Sequence, residues 1–261
     1  MLRLARSEDA TINELWPVVS LDSEYYLGVG KEEAQVSSHS GLNCVWKKRL
    51  PIIPEVEFLD RVNLFFKRIM DLTLASSALL ILSPFLIFIA LLIKLNCKGS
   101  IFFHQTRVGY KNRSFKMFKF RTMYHHRSDV SGVAQTKEDD CRITKIGKIL
   151  RKTSIDELPQ LINIIRGEMS FVGPRPHVYG QLGGELPIRQ VVPYYNLRHE
   201  VMPGLTGWAQ ANGYRGPTNK KGLAITRIEH DMAYIQNASV WLDIKIIFLT
   251  IVNEFLSGNG H

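Results

Sequence analysis

An uncharged apolar stretch interrupted by proline constrains this chain more than any other feature. It runs from Leu72 to Ile93 as LTLASSALLILSPFLIFIALLI. At about 22 residues, it would cross the hydrocarbon core of a bilayer as a straight helix. Ser83-Pro84 sits at its centre, and proline there removes a helix hydrogen bond and kinks or breaks the helix. Lys67 and Arg68 precede the stretch, and Lys94 and Lys98 follow it. Positive flanks favour the cytoplasmic side, so cations at both ends indicate no direction of crossing. Two forms satisfy these facts. One is a segment that dips in, turns at Ser83-Pro84 and returns to the same face. The other is a single kinked span, which transmembrane helices tolerate.

The formal charge is +9, from 33 Lys+Arg against 24 Asp+Glu. Such a surplus suits anionic lipid, phosphorylated substrates or nucleic acid. The apolar segment favours lipid headgroups, and the cations form no recognisable nucleic-acid motif, so no nucleic-acid partner is expected. Cys44, Cys97 and Cys141 lie far apart and make no metal-type or redox pair. The opening MLRLARSEDATINELWP has charges where a signal peptide needs an apolar core. The apolar segment is therefore expected to be a retained anchor, and no stretch before Arg61 is expected to span. Residues 1–60, with a Ser/His-rich patch from Val36 to Gly41, Pro51 and Pro54 and the basic WKKR, read as a poorly ordered extension.

Beyond the anchor, Ser100 to Val108 (SIFFHQTRV) reads as a strand, Gly109 to Asn112 as a turn and Ser114 to Met123 (SFKMFKFRTM) as the returning strand. Lys119 and Arg121, two apart, would share one strand face, either as a phosphate-holding pair or as a solvated surface. Val130 to Asp140 reads as a loop. Ile143 to Leu150 is short and amphipathic. Leu223 to Gln236 has helical spacing at Ile225, Ile228, Met232 and Ile235. Trp241 to Leu256 is apolar around most of its circumference but carries Asp243, Lys245 and Glu254. It reads as an interfacial helix or a buried core helix.

The chemistry concentrates in RKTSIDELPQLINIIRGEMSFVGPRP, Arg151 to Pro176. Leu158, Leu161, Ile162 and Ile165 form one helical face. Pro159 fits only a first turn, and Gly167 is a stop signal, so Asp156-Glu157 lies at a helix N-terminus. Backbone donors and the dipole favour anions there. Arg151 and Lys152 precede the pair, and Arg175 follows the helix. Carboxylates, cations and a helix start suggest a phosphate site with a divalent metal, one carboxylate attacking phosphorus and the other holding magnesium. The competing reading is a cap, with Asp156 accepting first-turn amides or Ser154 and Glu157 forming a capping box. A nucleophile needs an oxygen not committed to the helix, so geometry separates the two.

Taken together, KRIMDLTLASSALLILSPF, IFFHQTRVGYKNRSFKMFKFRTM, RITKIGKILRKTSIDELPQLINIIRGEMSFVGPRP, PGLTGWAQANGYRG and DIKIIFLT resemble the bacterial sugar transferase family, the monotopic polyprenyl-phosphate phosphoglycosyltransferases. The match runs from about Phe66 to Phe255. The resemblance implies an α/β (α+β, mostly helical) monotopic membrane protein. Its parts would be the extension over 1–60, a re-entrant helix-break-helix anchor over 61–98 broken at Ser83 and Pro84, and a cytoplasmic catalytic domain over 99–257 with a β-hairpin and amphipathic interfacial helices.

The implied reaction transfers a sugar 1-phosphate from a UDP-sugar to undecaprenyl phosphate at the cytoplasmic face of the bacterial inner membrane, releasing UMP. It begins exopolysaccharide, capsule or O-antigen repeat units. Asp156 would be the nucleophile, carrying a covalent phosphosugar, and Glu157 would bind Mg2+. Lys119, Arg121, Arg151 and Arg175 would hold phosphate and nucleotide. PGLTGWAQANGYRG resembles the glucose-type tail, which makes Trp208, Gln210, Asn212, Tyr214 and Arg215 candidates for donor or acceptor contacts, against a structural loop anchored by Trp208. Galactose or N-acetylated sugars are the alternative donors. Larger relatives carry extra transmembrane helices that this chain is expected to lack. A basic, non-enzymatic membrane adaptor is the rival class. It would explain the charge but not the carboxylates set beside cations.

Overall fold

The computed structural model describes residues 58–124, 140–216 and 220–257. The expected extension lies outside them up to residue 57, as does nearly all of the expected Val130–Asp140 loop. The first helix, α1, spans Phe58–Asn96 with Pro84 inside it. The expected break at Ser83-Pro84 is thus no loss of helix. Pro84 offers no amide to the carbonyl of Leu80, one turn back. The Ser83 hydroxyl donates to that carbonyl instead, at 2.8 Å. By length and composition α1 can cross a membrane.

Both halves of α1 dock on the body that follows. Ala75 packs with Phe115, Met117, Leu161, Ile164 and Met169, while Ile89 and Ile93 pack with Phe120 and Leu150. Between these footholds Leu80 and Ile81 are 76% and 74% exposed, an apolar stretch with no partner among the described residues.

The hairpin expected after the anchor is present. Strand β1 (Phe102–Val108) pairs antiparallel with β2 (Ser114–Phe120), Phe102 opposite Phe120 and Val108 opposite Ser114. A single 3-10 turn, Tyr110–Asn112, joins them, with Lys111 and Asn112 at positive φ. Helix α2 (Lys145–Lys152) starts on Thr144, whose side chain accepts from the amide of Gly147. The acidic motif forms a 3-10 turn, Ile155–Gln160, that runs into α3 (Leu161–Arg166). Gly167 closes α3 at φ 78°, in the left-handed region, as its position predicts.

Strand β3 (Ser170–Val172) pairs in parallel with β6 (Gly204–Thr206). Between them come β4 (Leu182–Gly183), β5 (Leu186–Pro187), α4 (Ile188–Val191) and a 3-10 turn at Tyr195–Glu200. A methyl group on Gly204 would strike the backbone of Gly173, so glycine permits this close approach. Helices α5 (Trp208–Ala211), α6 (Lys221–Gln236) and α7 (Val240–Ser257) complete the chain. Helix α7 is buried along one side only. Leu242, Asp243 and Ile246 are buried, while Trp241, Ile244, Phe248 and Ile251 form an exposed apolar stripe.

Polar side chains fix the start of α1 to this body. Lys67 donates to Asp243 at 2.5 Å and to the carbonyl of Val172 at 3.0 Å. Tyr234 donates to the other Asp243 oxygen at 2.8 Å. Asp71 accepts from the amide of Phe171 at 3.0 Å. Arg68 donates to the carbonyls of Ile164 and Ile165 at the end of α3, where a cation complements the helix dipole.

Candidate active site

Asn163, fully buried on α3, stitches that helix to β2. It accepts from the Phe118 amide at 3.0 Å and donates to the carbonyl of Lys116 at 2.8 Å. This stitching sets Lys119 opposite the acidic turn, and Lys119 Nζ lies 2.7 Å from Glu157 Oε1. Arg175, which follows β3, grips the same carboxylate. It donates to Oε2 at 3.0 Å and also to Oε1. Burial opposes ionisation of Glu157, but the charges and hydrogen bonds of Arg175 and Lys119 outweigh it and hold this carboxyl well below the usual range.

Asp156 differs from its neighbour. It is 8% exposed. Burial, with a contribution from Glu157, pushes its carboxyl up to about 6 against the pull of Lys119, Arg151 and Arg175. Among the described residues no hydrogen bond engages its oxygens, and Ser154 makes no side-chain cap on this turn. The capping reading therefore fails. Asp156 is a buried carboxylate raised to about 6 whose oxygens are not committed to the helix, the geometry that separates the two readings.

The other sequence candidates separate. Arg151, in the last turn of α2, acts on Asp156 through its charge. Arg121 does not join Lys119. Strand β2 ends at Phe120, and the Arg121 guanidinium donates to the carbonyls of Cys97 and Lys98 at 2.7 and 3.0 Å. It clamps the end of α1. Gln210 and Arg215 meet each other, Arg215 Nε donating to the Gln210 carbonyl at 3.3 Å. No contact joins either of them to Asp156 or Glu157 among the described residues. The glycine-rich run has a structural part to play: Gly204 and Gly207 pack on Gly173, two residues before Arg175. Ser83 and Pro84 lie in the middle of α1, away from the acidic pair in sequence and without a contact to it among the described residues.

Sequence reasoning missed Arg107, Arg198, Arg227 and Asn163. Arg198 pairs with buried Asp231 at 2.8 Å and donates to the carbonyl of Arg175 at 2.7 Å, steadying the backbone that presents Arg175. His177 shares a 3.0 Å hydrogen bond with Tyr195. Burial and the charges of Arg198, Arg107 and Arg227 keep it neutral. None of these residues sits in a local pattern that marks it.

An uncommitted carboxylate beside a cation-clamped one is an arrangement that phosphoryl chemistry can use. Comparison with known proteins gives the family. The profile of the bacterial sugar transferase family matches residues 62–257, and the chain belongs to that family. It is 49% identical over 199 residues to the exopolysaccharide production protein PSS of Rhizobium leguminosarum bv. phaseoli, covering 76% of this chain and 100% of that one. It is 48% identical over 203 residues to the undecaprenyl-phosphate glucose phosphotransferase of Komagataeibacter xylinus, covering 77% of this chain and 38% of that one. It is 45% identical over 209 residues to the UDP-glucose:undecaprenyl-phosphate glucose-1-phosphate transferase of Escherichia coli K12, covering 80% of this chain and 44% of that one. The matched region thus spans the whole of the Rhizobium protein but under half of the other two.

Proposed function

We propose that this protein transfers glucose 1-phosphate from UDP-glucose to undecaprenyl phosphate, opening the assembly of an exopolysaccharide repeat unit. The observation that carries the chemistry is the contrast within the pair. Glu157 is clamped by two cations, and Asp156 beside it is uncommitted and ionises near pH 6. The names of the relatives supply the donor and the acceptor. Asp156 attacks the sugar-bearing phosphorus and UMP leaves. The lipid phosphate then attacks the same phosphorus and frees Asp156. Splitting the transfer lets a water-soluble donor and a lipid acceptor use one site in turn. Lys119 and Arg175 hold Glu157 and lend positive charge to the phosphoryl group.

A magnesium ion fits this chemistry. Glu157 Oε2 accepts one bond, from Arg175, leaving a lone pair for a cation that is usually held by one or two carboxylates plus substrate phosphates. When bound, it would neutralise charge on the transferred group.

The anchor reading extends to re-entry from the cytoplasmic face. A straight helix would set residues 68 and 97 about 44 Å apart. Yet Arg68 bonds carbonyls next to Asn163, which holds Phe118, while Arg121 bonds the carbonyl of Cys97. The strand step from 118 to 121 covers only about 10 Å. These contacts support a bend near Ser83-Pro84 that sinks Leu80 and Ile81 into the inner membrane and returns. The exposed stripe of α7 would lie at the lipid surface.

The test is UMP release by detergent-solubilised full-length protein given UDP-glucose, magnesium and undecaprenyl phosphate. Lipid-dependent release that disappears in Asp156→Asn supports the proposal. Release with UDP-galactose or UDP-N-acetyl sugars alone would reassign the donor. No release with any of them, from folded protein, would favour the adaptor.

A further inference from the structure

Arg107 on β1 and Arg227 on α6 sit within electrostatic reach of Arg175. Glu157 acts on Arg107 and Asp231 on Arg227 through their charge, yet neither arginine closes an ion pair among the described residues. Arg107 donates to the carbonyl of Pro176 at 3.2 Å and to the Gln105 side chain. Arg227 donates to the carbonyl of Arg215 at 2.7 Å. The Nε–H of each is buried without a hydrogen-bond partner among the described residues. An unsatisfied donor on a buried cation is costly and calls for a specific explanation. Burial and then the charge of Arg175 depress both guanidinium groups, Arg107 to about 10. The Glu157 carboxylate is already taken by Lys119 and Arg175. Two half-buried arginines beside Arg175 thus keep a buried N–H that no acceptor among the described residues satisfies.

We propose that Arg107 and Arg227 form a second phosphate subsite beside Arg175, which holds in turn the departing nucleotide phosphate and the incoming lipid phosphate. The subsite rests on the transfer reaction proposed above. In the first step an Asp156 oxygen bonds the sugar-bearing phosphorus as the bridging P–O bond breaks. The electron pair leaves with the nucleoside monophosphate, which gains one negative charge, and no proton moves. Displacement at phosphorus is in line, so this group departs opposite Asp156. In the second step a lipid phosphate oxygen bonds the same phosphorus, and the Asp156–phosphorus bond breaks to restore the carboxylate. That oxygen must also enter opposite Asp156, where the nucleotide phosphate stood. One cationic subsite therefore serves both ligands, and binding there is exclusive.

The experiment uses full-length Arg107→Gln, Arg227→Gln and the charge-keeping Arg227→Lys in detergent, with thermal melting to confirm the fold. UMP and uridine binding are measured by calorimetry, and each half-reaction by adduct formation and by chase with undecaprenyl phosphate. Each Gln variant should weaken UMP binding about 10- to 100-fold, the worth of one charge-assisted hydrogen bond. Uridine binding should be unchanged, both half-reactions should slow, and Arg227→Lys should recover part of the loss. Folded Gln variants that bind UMP as wild type does would overturn the subsite. Slowing of adduct formation alone, with normal chase, would overturn its sharing with the lipid. UMP binding needs no turnover, so the subsite is tested even if wild type transfers no sugar, a result that would instead sink the proposed reaction.

Discussion

Replacing Asp156 with Asn should abolish transfer and at the same time stabilise the protein above pH 6. The Asp156 carboxyl is raised from 3.8 to about 6, chiefly by burial. A group raised in the fold keeps its proton more tightly there than in the unfolded chain. Between about pH 4 and 6 unfolding therefore releases a proton, and stability falls as pH rises through that window. Above it, the ionised carboxylate costs the fold about 3 kcal/mol, at 1.36 kcal/mol per pH unit. Asn mimics the protonated acid and escapes this cost. Melting of wild type and Asp156→Asn in detergent should coincide near pH 4. By pH 8 the variant should lead by several degrees, at about 2 to 4 °C per kcal/mol for a domain of this size. A variant that melts at or below the wild-type temperature at pH 8, or an advantage undiminished at pH 4, would refute the reasoning.

The rate of adduct formation from UDP-glucose should fall about tenfold per pH unit below about 6 and level off above it; a flat profile from pH 5 to 7 would contradict a nucleophile that must ionise. Glu157→Gln should lower stability by about 3 to 5 kcal/mol, because Lys119 and Arg175 lose their buried counter-charge, a loss read from thermal melting. Asn163→Leu should cost about 2 to 4 kcal/mol in the same assay, leaving the Phe118 amide and the Lys116 carbonyl unpaired. Arg121→Gln should lower the melting temperature through the lost clamp on α1 while leaving UMP affinity unchanged; weakened UMP binding would return Arg121 to the site.

Local signals were the ones that could be read in the sequence. The hairpin was legible because Gly109 to Asn112 separates two apolar-rich runs, and Gly167 marked the end of α3 by its conformational freedom. The adjacency of Asp156 and Glu157 was equally plain, but their contrasting environments were not, since Lys119 and Arg175, which clamp Glu157, come from distant elements. Arg121 was misplaced because alternation along a strand holds only while the strand lasts, and β2 stops one residue earlier. Arg107 and Arg227 carry no local pattern, and only the tertiary fold brings both within reach of Arg175. The parallel pairing of β3 with β6 involves three residues on each side, too short for any periodicity to announce.

The most direct test of the central claim is mass spectrometry of full-length protein incubated with UDP-glucose and magnesium in the absence of lipid. The account predicts a hexose-phosphate adduct on the peptide that contains Asp156, formed with stoichiometric UMP and discharged on adding undecaprenyl phosphate. Product formation that requires both substrates together, with no adduct trapped on Asp156 at any time, would contradict it.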